Sequence, residues 1–184
     1  MRRVSLVFCV VAVVLLGKTA TTSAPTAAQE ASPAASPAAL PPLLAAWATA
    51  VNSGDVDQVL ALYTDDALWE EVAIGLAASG QGEIRAHLDR LYTAVPDFTV
   101  DVTNGFVTGD QAVVEWEISG TYSSDFPGLP PAAGQHFSIR GASVFALADG
   151  KIRRYTEYWD AYQFLVQLGA LPAPGAAPSG TPMP

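Results

Sequence analysis

Hydrophobic residues recur with two different periods along this chain, and the period changes at Pro96. Before it, apolar positions follow helical spacing, beginning with Leu44, Trp47 and Val51. After it, apolar and polar residues alternate, which is typical of β-strands. Helices followed by long strands predict an α+β fold, in which N-terminal helices pack on one face of a curved antiparallel sheet.

The first half of the domain predicts three helices and one short strand. Prolines are tolerated in a first helical turn, and the sequence Asn-Ser-Gly is a stop signal for the first helix. The predicted elements are a helix from about Pro42 to Asn52, a second from Asp55 to Thr64, a strand from Ala67 to Val72, a glycine-rich loop from Gly75 to Gly82, and a helix from Glu83 to Thr93.

The second half predicts three long strands, a last strand and a short helix. The long strands run from Phe98 to Val107, from Ala112 to Tyr122 and from Gln135 to Ala148. A proline-rich loop precedes the third, and Asp-Gly and Gly-Asp pairs mark hairpin turns. The stretch from Gly150 to Gly169 then reads as turn, strand and helix, with Asp160 at the junction between strand and helix.

The two ends of the chain differ from this central domain. A basic start and an apolar run from Val4 to Leu16 predict a secretory signal peptide over residues 1–28, cleaved after Ala24 or Ala28. An uncleaved membrane anchor is the alternative. Residues 29–42 are a linker rich in proline, alanine and serine, and residues 172–184 form a similar tail that is predicted to be disordered. The domain itself spans residues 43–171.

Composition narrows the functions that this domain can have. The chain of 184 residues carries 18 acidic and 9 basic residues, which disfavours binding to nucleic acid. Its one cysteine, Cys9, lies in the apolar run, so the mature chain is predicted to have neither a disulfide nor a thiolate metal site. No metal-ligand cluster, phosphate loop or dinucleotide fingerprint occurs in the sequence. The predicted chemistry is free of cofactors and metals.

Four short motifs, in their order along the chain, resemble those of a known family. They are ALYTDDALWEE at Ala61 to Glu71, GEIR at Gly82 to Arg85, GKI at Gly150 to Ile152, and QLG at Gln167 to Gly169. Together they resemble the SnoaL-like polyketide cyclases of the nuclear-transport-factor-2-like superfamily, which includes the ketosteroid isomerases. The resemblance implies a cone-shaped α+β barrel around an apolar pocket.

The resemblance also implies roles for individual residues. Asp160 lies where SnoaL-like cyclases place their acid/base aspartate, and Glu71 where ketosteroid isomerases place their general base. Trp47 stands where those isomerases have an oxyanion-hole tyrosine, and the third long strand has no counterpart of their protonated carboxylic acid. These two departures argue against steroid isomerisation. The alternative for Asp160 is that it caps the last helix.

Other candidates follow from strand and helix periodicity. His136 alternates in phase with Arg140 and is a candidate base or orienting donor, with an exposed outer face of the sheet as the alternative. His87 falls on the apolar stripe of a helix, where a core histidine is the commoner outcome. A planar or ring-bearing ligand would be held by aromatic residues. The candidate ligand-binding residues are Trp47, Tyr63, Trp69, Trp116, Arg140 and Tyr158.

The sequence therefore leads to two hypotheses about function. The first is an exported, cofactor-independent enzyme of the cyclase or isomerase type, in which Asp160, Glu71 and His136 handle protons on a small apolar carbonyl or ester compound. The second is a non-catalytic module that binds a hydrophobic small molecule or a protein partner. In either case a homodimer through the outer face of the sheet is expected from the resemblance.

Overall fold

The computed structural model describes residues 39–175, and all structural statements below concern this range. The predicted signal peptide, most of the predicted linker and most of the predicted tail lie outside the described residues. Within the range, no helix combines the length and the apolar character that crossing a membrane requires.

Four helices are present, and local sequence explains where they start. Prolines stand at the start of the first helix, where their missing N–H groups cost nothing. The Asp55 carboxylate accepts hydrogen bonds from the backbone N–H groups of Asp57 and Gln58 and so caps the second helix. The helices are α1 (Pro42–Asn52), α2 (Val56–Leu60), α3 (Gly80–Ala94) and α4 (Ala161–Gln167).

Six strands form one sheet in the order β2-β1-β6-β5-β4-β3. Neighbouring strands are antiparallel except for β1 and β6, which run parallel. The sheet ends at β2 and β3 and does not close. The strands are β1 (Tyr63–Glu71), β2 (Leu76–Ser79), β3 (Thr99–Thr108), β4 (Gln111–Tyr122), β5 (Gln135–Ala148) and β6 (Lys151–Trp159).

The α+β class is confirmed, while several details of the prediction are wrong. The sheet is mixed rather than antiparallel, because β1 runs parallel to β6, the last strand in the chain. The predicted second helix ends early, at Leu60, and β1 begins at Tyr63. The predicted glycine-rich loop contains β2 and the first turn of α3. Pairing with β1 accounts for β2, whose four residues Leu76–Ser79 carry too short a pattern to be recognised.

The two longest strands, β4 and β5, alternate between a buried and an exposed face, as the sequence pattern predicts, whereas β3 is exposed along most of its length. On β5, Phe137, Ile139 and Phe145 are buried, whereas His136 and Arg140 are exposed. The turn from β5 to β6 uses Asp149 and Gly150, both with positive φ, which matches the twist of a two-residue hairpin. The helices cover the apolar face, and the homodimer through the other face stays a prediction.

One close approach within the sheet depends on a missing side chain. Trp116 of β4 is paired with Gly141 of β5, and its indole ring lies over that glycine. A Cβ atom at Gly141 would lie 2.3 Å from Cη2 of Trp116 and 2.5 Å from the carbonyl oxygen of Tyr158. The absence of a side chain at Gly141 is therefore what lets the buried indole reach across β5.

We expect Gly141→Ala to destabilise the fold by about 1–3 kcal/mol, the usual cost of overpacking a well-packed core. The matched control is Gly82→Ala in α3, where an added Cβ meets no atom within 4 Å. There the helix propensity of alanine should raise stability by about 0.5–1 kcal/mol. Urea unfolding of both variants measures the two effects, and equal stabilities would contradict the assigned role of Gly141.

Candidate functional site

An apolar cavity lies between the sheet, α3, α4 and the loop that joins β4 to β5. Its volume is about 70 Å³. Aliphatic and aromatic side chains make up almost all of its wall, and the only carboxyl groups in the wall are those of Glu71 and Glu157. The other lining residues are Ile74, Leu91, Ala94, Val95, Phe98, Ile118, Tyr122, Phe126, Leu129, Phe137, Ile139, Trp159 and Phe164.

The parallel pairing of β1 with β6 brings the two glutamates together. Glu71 is the last residue of β1, and it is in register with Glu157 of β6. Alternation along β6 places Glu157 on the same face as Tyr155 and Trp159, toward the apolar interior. Glu71 is 8% exposed and Glu157 is 7% exposed, so two acidic side chains meet in a nearly dry environment.

The environment of Glu157 favours its neutral form. Burial raises the pKa of Glu157 well above its ordinary value of 4.5, and the nearby charge of Glu71 raises it further. A hydrogen bond from Tyr155 acts in the opposite direction, but it is the smallest of the three effects. Glu157 is therefore a carboxylic acid that keeps its proton where an exposed glutamate has lost it.

Glu71 has a different neighbour, the fully buried His87 of α3. Nε2 of His87 lies 2.8 Å from Oε1 of Glu71. This is the distance of an ion pair or hydrogen bond, although the alignment is not that of a well-formed hydrogen bond, and neither ring nitrogen has another partner in the described residues. The imidazole thus connects Glu71 to α3, while Glu157 has no contact of this kind.

The loop from Ser123 to Gly134 closes one side of the cavity. Phe126 and Leu129 from this loop are part of the cavity wall. The hydroxyl of Tyr122 holds the loop: it accepts a hydrogen bond from the backbone N–H of Phe126 and donates one to the carbonyl oxygen of Pro130, both at 2.9 Å. Tyr122 of β4 therefore anchors this part of the cavity wall to the sheet.

The structure places Glu71 in the cavity but puts Asp160 elsewhere. Asp160 is exposed, and its Oδ1 accepts a hydrogen bond from the backbone N–H of Gln163 at 2.9 Å. It caps α4, which is the alternative that the sequence left open. Thr156 and Tyr158 of β6, which precede Asp160, point to the side of the sheet opposite the cavity, because the inward residues of β6 are Tyr155, Glu157 and Trp159.

The remaining predicted site residues divide into two groups, neither of which lines the cavity. His136, Arg140 and Tyr158 are exposed on the outer face of the sheet, opposite the buried phase of β5 and β6. These three residues therefore do not line this cavity, and a role for them in ligand binding stays a prediction. The aromatic residues Trp47, Tyr63, Trp69 and Trp116 are buried, but they belong to the core behind the carboxyl groups.

Sequence reasoning missed Glu157 and underrated His87. The signal for Glu157 was present: it alternates with Tyr155 and Trp159, so an acid shares a face with two large aromatic residues. His87 was placed on the apolar stripe of its helix, which is correct, and it is fully buried. Its contact with Glu71 was not visible in the sequence, because it depends on how α3 packs against β1.

The described residues offer little to a metal ion. Between residues 39 and 175, no group of three or more histidine, cysteine, aspartate or glutamate side chains has an arrangement that could hold one. The cavity instead presents a neutral acid, a second carboxyl group and apolar walls. Such a set of groups suits proton transfer to and from an apolar compound.

Comparison with protein families agrees with this fold and cavity. The SnoaL-like domain family matches residues 44–155, which is most of the described chain. This protein belongs to the SnoaL-like domain family. Among curated protein sequences, none matches the chain significantly.

Solved structures with the same fold extend the comparison. TsrD from Streptomyces laurentii is 26% identical with a TM-score of 0.61, over 70% of this chain and 93% of its own. IdmH from Streptomyces antibioticus is 25% identical with a TM-score of 0.58, over 69% of this chain and 96% of its own. A protein with a ketosteroid isomerase-like fold from Catenulispora acidiphila is 21% identical with a TM-score of 0.61, over 71% of this chain and 95% of its own.

The raised pKa of Glu157 predicts that the fold loses stability as pH rises. The unfolded chain releases this proton near the ordinary pKa of 4.5, whereas the folded chain keeps it to a higher pH. Between these two values the folded state binds more protons, so the free energy of unfolding decreases with increasing pH. Glu157→Gln should remove this decrease, which urea unfolding at several pH values measures.

The control for this experiment is Glu115→Gln, which changes an exposed glutamate on the outer face of β4. That variant should keep the pH dependence of the unmodified protein. If Glu157→Gln also keeps it, the pKa assignment is refuted.

Proposed function

We propose that this protein is a cofactor-independent enzyme of the cyclase or isomerase type, which moves a proton at an activated carbon of an apolar carbonyl compound. One observation carries the proposal: two buried carboxyl groups with different surroundings stand side by side at the wall of an apolar cavity. Pairs of titratable groups whose environments separate their pKa values are typical of acid/base sites. Membership of the SnoaL-like family supports the same class of reaction.

The different surroundings suggest a role for each carboxyl group. Glu71, beside His87, is the base that takes a proton from a carbon next to a carbonyl group. Glu157 keeps its own proton and donates a hydrogen bond to the carbonyl oxygen as negative charge develops there. Return of the proton from Glu71 to another carbon completes an isomerisation. Alternatively, the enolate carbon attacks a second carbonyl carbon, whose C=O π bond breaks to give an alkoxide, and Glu71 returns its proton to that alkoxide as the ring closes.

In this proposal, Glu157 takes the place of the protonated carboxylic acid that has no counterpart in the third long strand. The third long strand indeed has no second acidic residue in the cavity, but the neutral carboxylic acid is present on β6 as Glu157. Of the two missing hydrogen-bond donors that spoke against enolate chemistry, Glu157 therefore supplies one. Trp47 still stands where a tyrosine is expected, and its indole nitrogen is buried without a partner.

The cavity indicates what kind of substrate is suitable. Apart from the carboxyl end, its walls are hydrocarbon, so the substrate is apolar with one polar end. Its volume of about 70 Å³ is far below the roughly 300–1,000 Å³ of ordinary ligand sites. A substrate with a ring therefore requires displacement of wall residues. Phe126 and Leu129 are suited to this, because they come from a loop rather than from the sheet or a helix.

The second candidate function is a binding module without catalysis, and the apolar wall favours it. A hydrophobic molecule gains most of its binding free energy from such a surface, with no need for a proton shuttle. The burial of Glu157 argues against this candidate. Burying a carboxyl group, protonated or charged, costs free energy, and it contributes nothing to a site that only binds hydrocarbon.

Exchange of carbon-bound hydrogen tests the proposed reaction. The protein should catalyse incorporation of solvent deuterium into apolar cyclic ketones and β-keto esters, followed by mass spectrometry. Glu71→Gln and Glu157→Gln should each slow the exchange by at least about 100-fold, because each removes a group that handles the proton. The matched control is Glu70→Gln, since Glu70 is the preceding residue of β1, lies on the opposite face and contacts Arg154.

The outcomes of this experiment separate the hypotheses. Binding of the same compounds without exchange in the unmodified protein would favour the binding module. Asp160→Asn tests the aspartate position of the family in the same assay. If Asp160→Asn stops the exchange while the two Gln variants do not, the chemistry belongs to Asp160 and the proposed pair is wrong.

A further inference from the structure

We propose that Trp116, Ser143 and Tyr155 form a one-way hydrogen-bond relay that ends on Glu157, with Tyr155 as the positioning residue for this carboxyl group. The relay lies behind the cavity and crosses three neighbouring strands, β4, β5 and β6. As a part of the acid/base site, it rests on the function proposed above. Its own existence is a property of the protein without any substrate.

The direction of the relay follows from what each group can donate. Nε1 of Trp116 lies 2.8 Å from Oγ of Ser143, and an indole N–H only donates. Oγ of Ser143 therefore accepts this bond and has one hydrogen left. The hydroxyl of Tyr155 lies 2.9 Å away and is the partner that accepts it. If Tyr155 donated to Ser143 instead, the serine hydrogen would have no acceptor in this pair of contacts.

The proton of Tyr155 is then directed at Glu157. Tyr155 and Glu157 are two residues apart on the same face of β6, so the phenol and the carboxyl group project to the same buried side of the sheet, where the neighbouring phenol lowers the pKa of Glu157 against the larger effect of burial. All three relay residues are almost completely buried, with exposed fractions of 1%, 0% and 2% along the chain order. Water therefore does not compete for these bonds, and each group bonds only to its neighbours in the relay.

The start of the relay is held in place by the backbone. The indole ring of Trp116 lies over Gly141, where no side chain intervenes. This arrangement leaves Nε1 at Ser143, two residues further along β5. The relay thus begins at a group that can neither rotate away nor accept a proton, and these two limits fix the orientation of every hydroxyl that follows.

The relay has a chemical consequence for the pair of carboxyl groups. Three titratable groups face Glu157: those of Glu71 and Tyr63 on β1, and that of Tyr155 on its own strand. His87 of α3 contacts Glu71 instead. A donor held on Glu157 alone stabilises its ionised form when the carboxyl group gives up its proton. Glu157 can therefore both hold and release a proton, rather than staying permanently neutral.

The pKa of Glu157 in the substrate-free protein tests the relay. Protein labelled with ¹³C at the glutamate carboxyl carbon is titrated by NMR, and the signal of Glu157 is the one missing from Glu157→Gln. Tyr155→Phe removes the donor and should raise this pKa by about one unit. Ser143→Ala should raise it by a smaller amount, because Tyr155 loses the bond that orients and polarises its hydroxyl.

The direction in which Ser143→Ala shifts the pKa of Glu157 distinguishes most clearly between the two possible hydrogen-bond directions. If Tyr155 donates to Ser143 in the native protein, Ser143→Ala frees the phenolic proton for Glu157 and lowers the pKa, which overturns the proposal. The control is Tyr92→Phe, since the hydroxyl of Tyr92 bonds to the carbonyl oxygen of Val51, away from the site. A Tyr155→Phe shift no larger than that of Tyr92→Phe also overturns it. Because no substrate is used, failure here leaves the exchange experiment undecided, and the reverse holds too.

Discussion

The structure depends on the parallel contact between β1 and β6, the first and last strands of the domain. This contact places Glu71 beside Glu157 and joins the antiparallel hairpins of the second half to the helical first half. Two carboxyl groups in one apolar space repel each other and are poorly solvated, which is unfavourable for stability. The fold holds them because the surrounding strands and α3 pack a large aromatic core, including Trp69 and Tyr155, directly behind them.

Burial is also what gives these groups their chemistry. The exposed glutamates of this acidic protein are surrounded by water, and water favours the charged form of a carboxyl group. Glu157 differs only in its position on a strand, since Glu115 and Glu117 occupy the exposed phase of β4. The same residue type is a solubilising charge on one face of the sheet and a neutral acid on the other. The face of the sheet toward which the side chain points determines which of the two it is.

Much of the fold was readable from periodicity, because β4 and β5 each have one exposed and one buried face. The start of α1, the long strands and the Asp149–Gly150 turn follow from local signals, whereas α3 begins three residues before its predicted start. The parallel β1–β6 pair was not readable, since it joins residues that are distant in sequence. For the same reason the site was only half predicted: Glu71 was found, but its partner Glu157 is defined by that pairing. Asp160 has a strong local signal as a helix cap, and the structure follows that signal.

The separation of Glu71 and Glu157 along the chain also bears on when, during folding, the cavity acquires its pair of carboxyl groups. Their neighbours Glu70 and Thr156 are in contact although they are 86 positions apart in the sequence. Closing a contact of this length is slow and comes late compared with forming hairpins. The acid/base pair is therefore assembled only when the last strand docks beside the first. A partially folded or truncated chain contains both glutamates as ordinary, solvated side chains, so the two carboxyl groups meet in an apolar cavity only when the topology is complete.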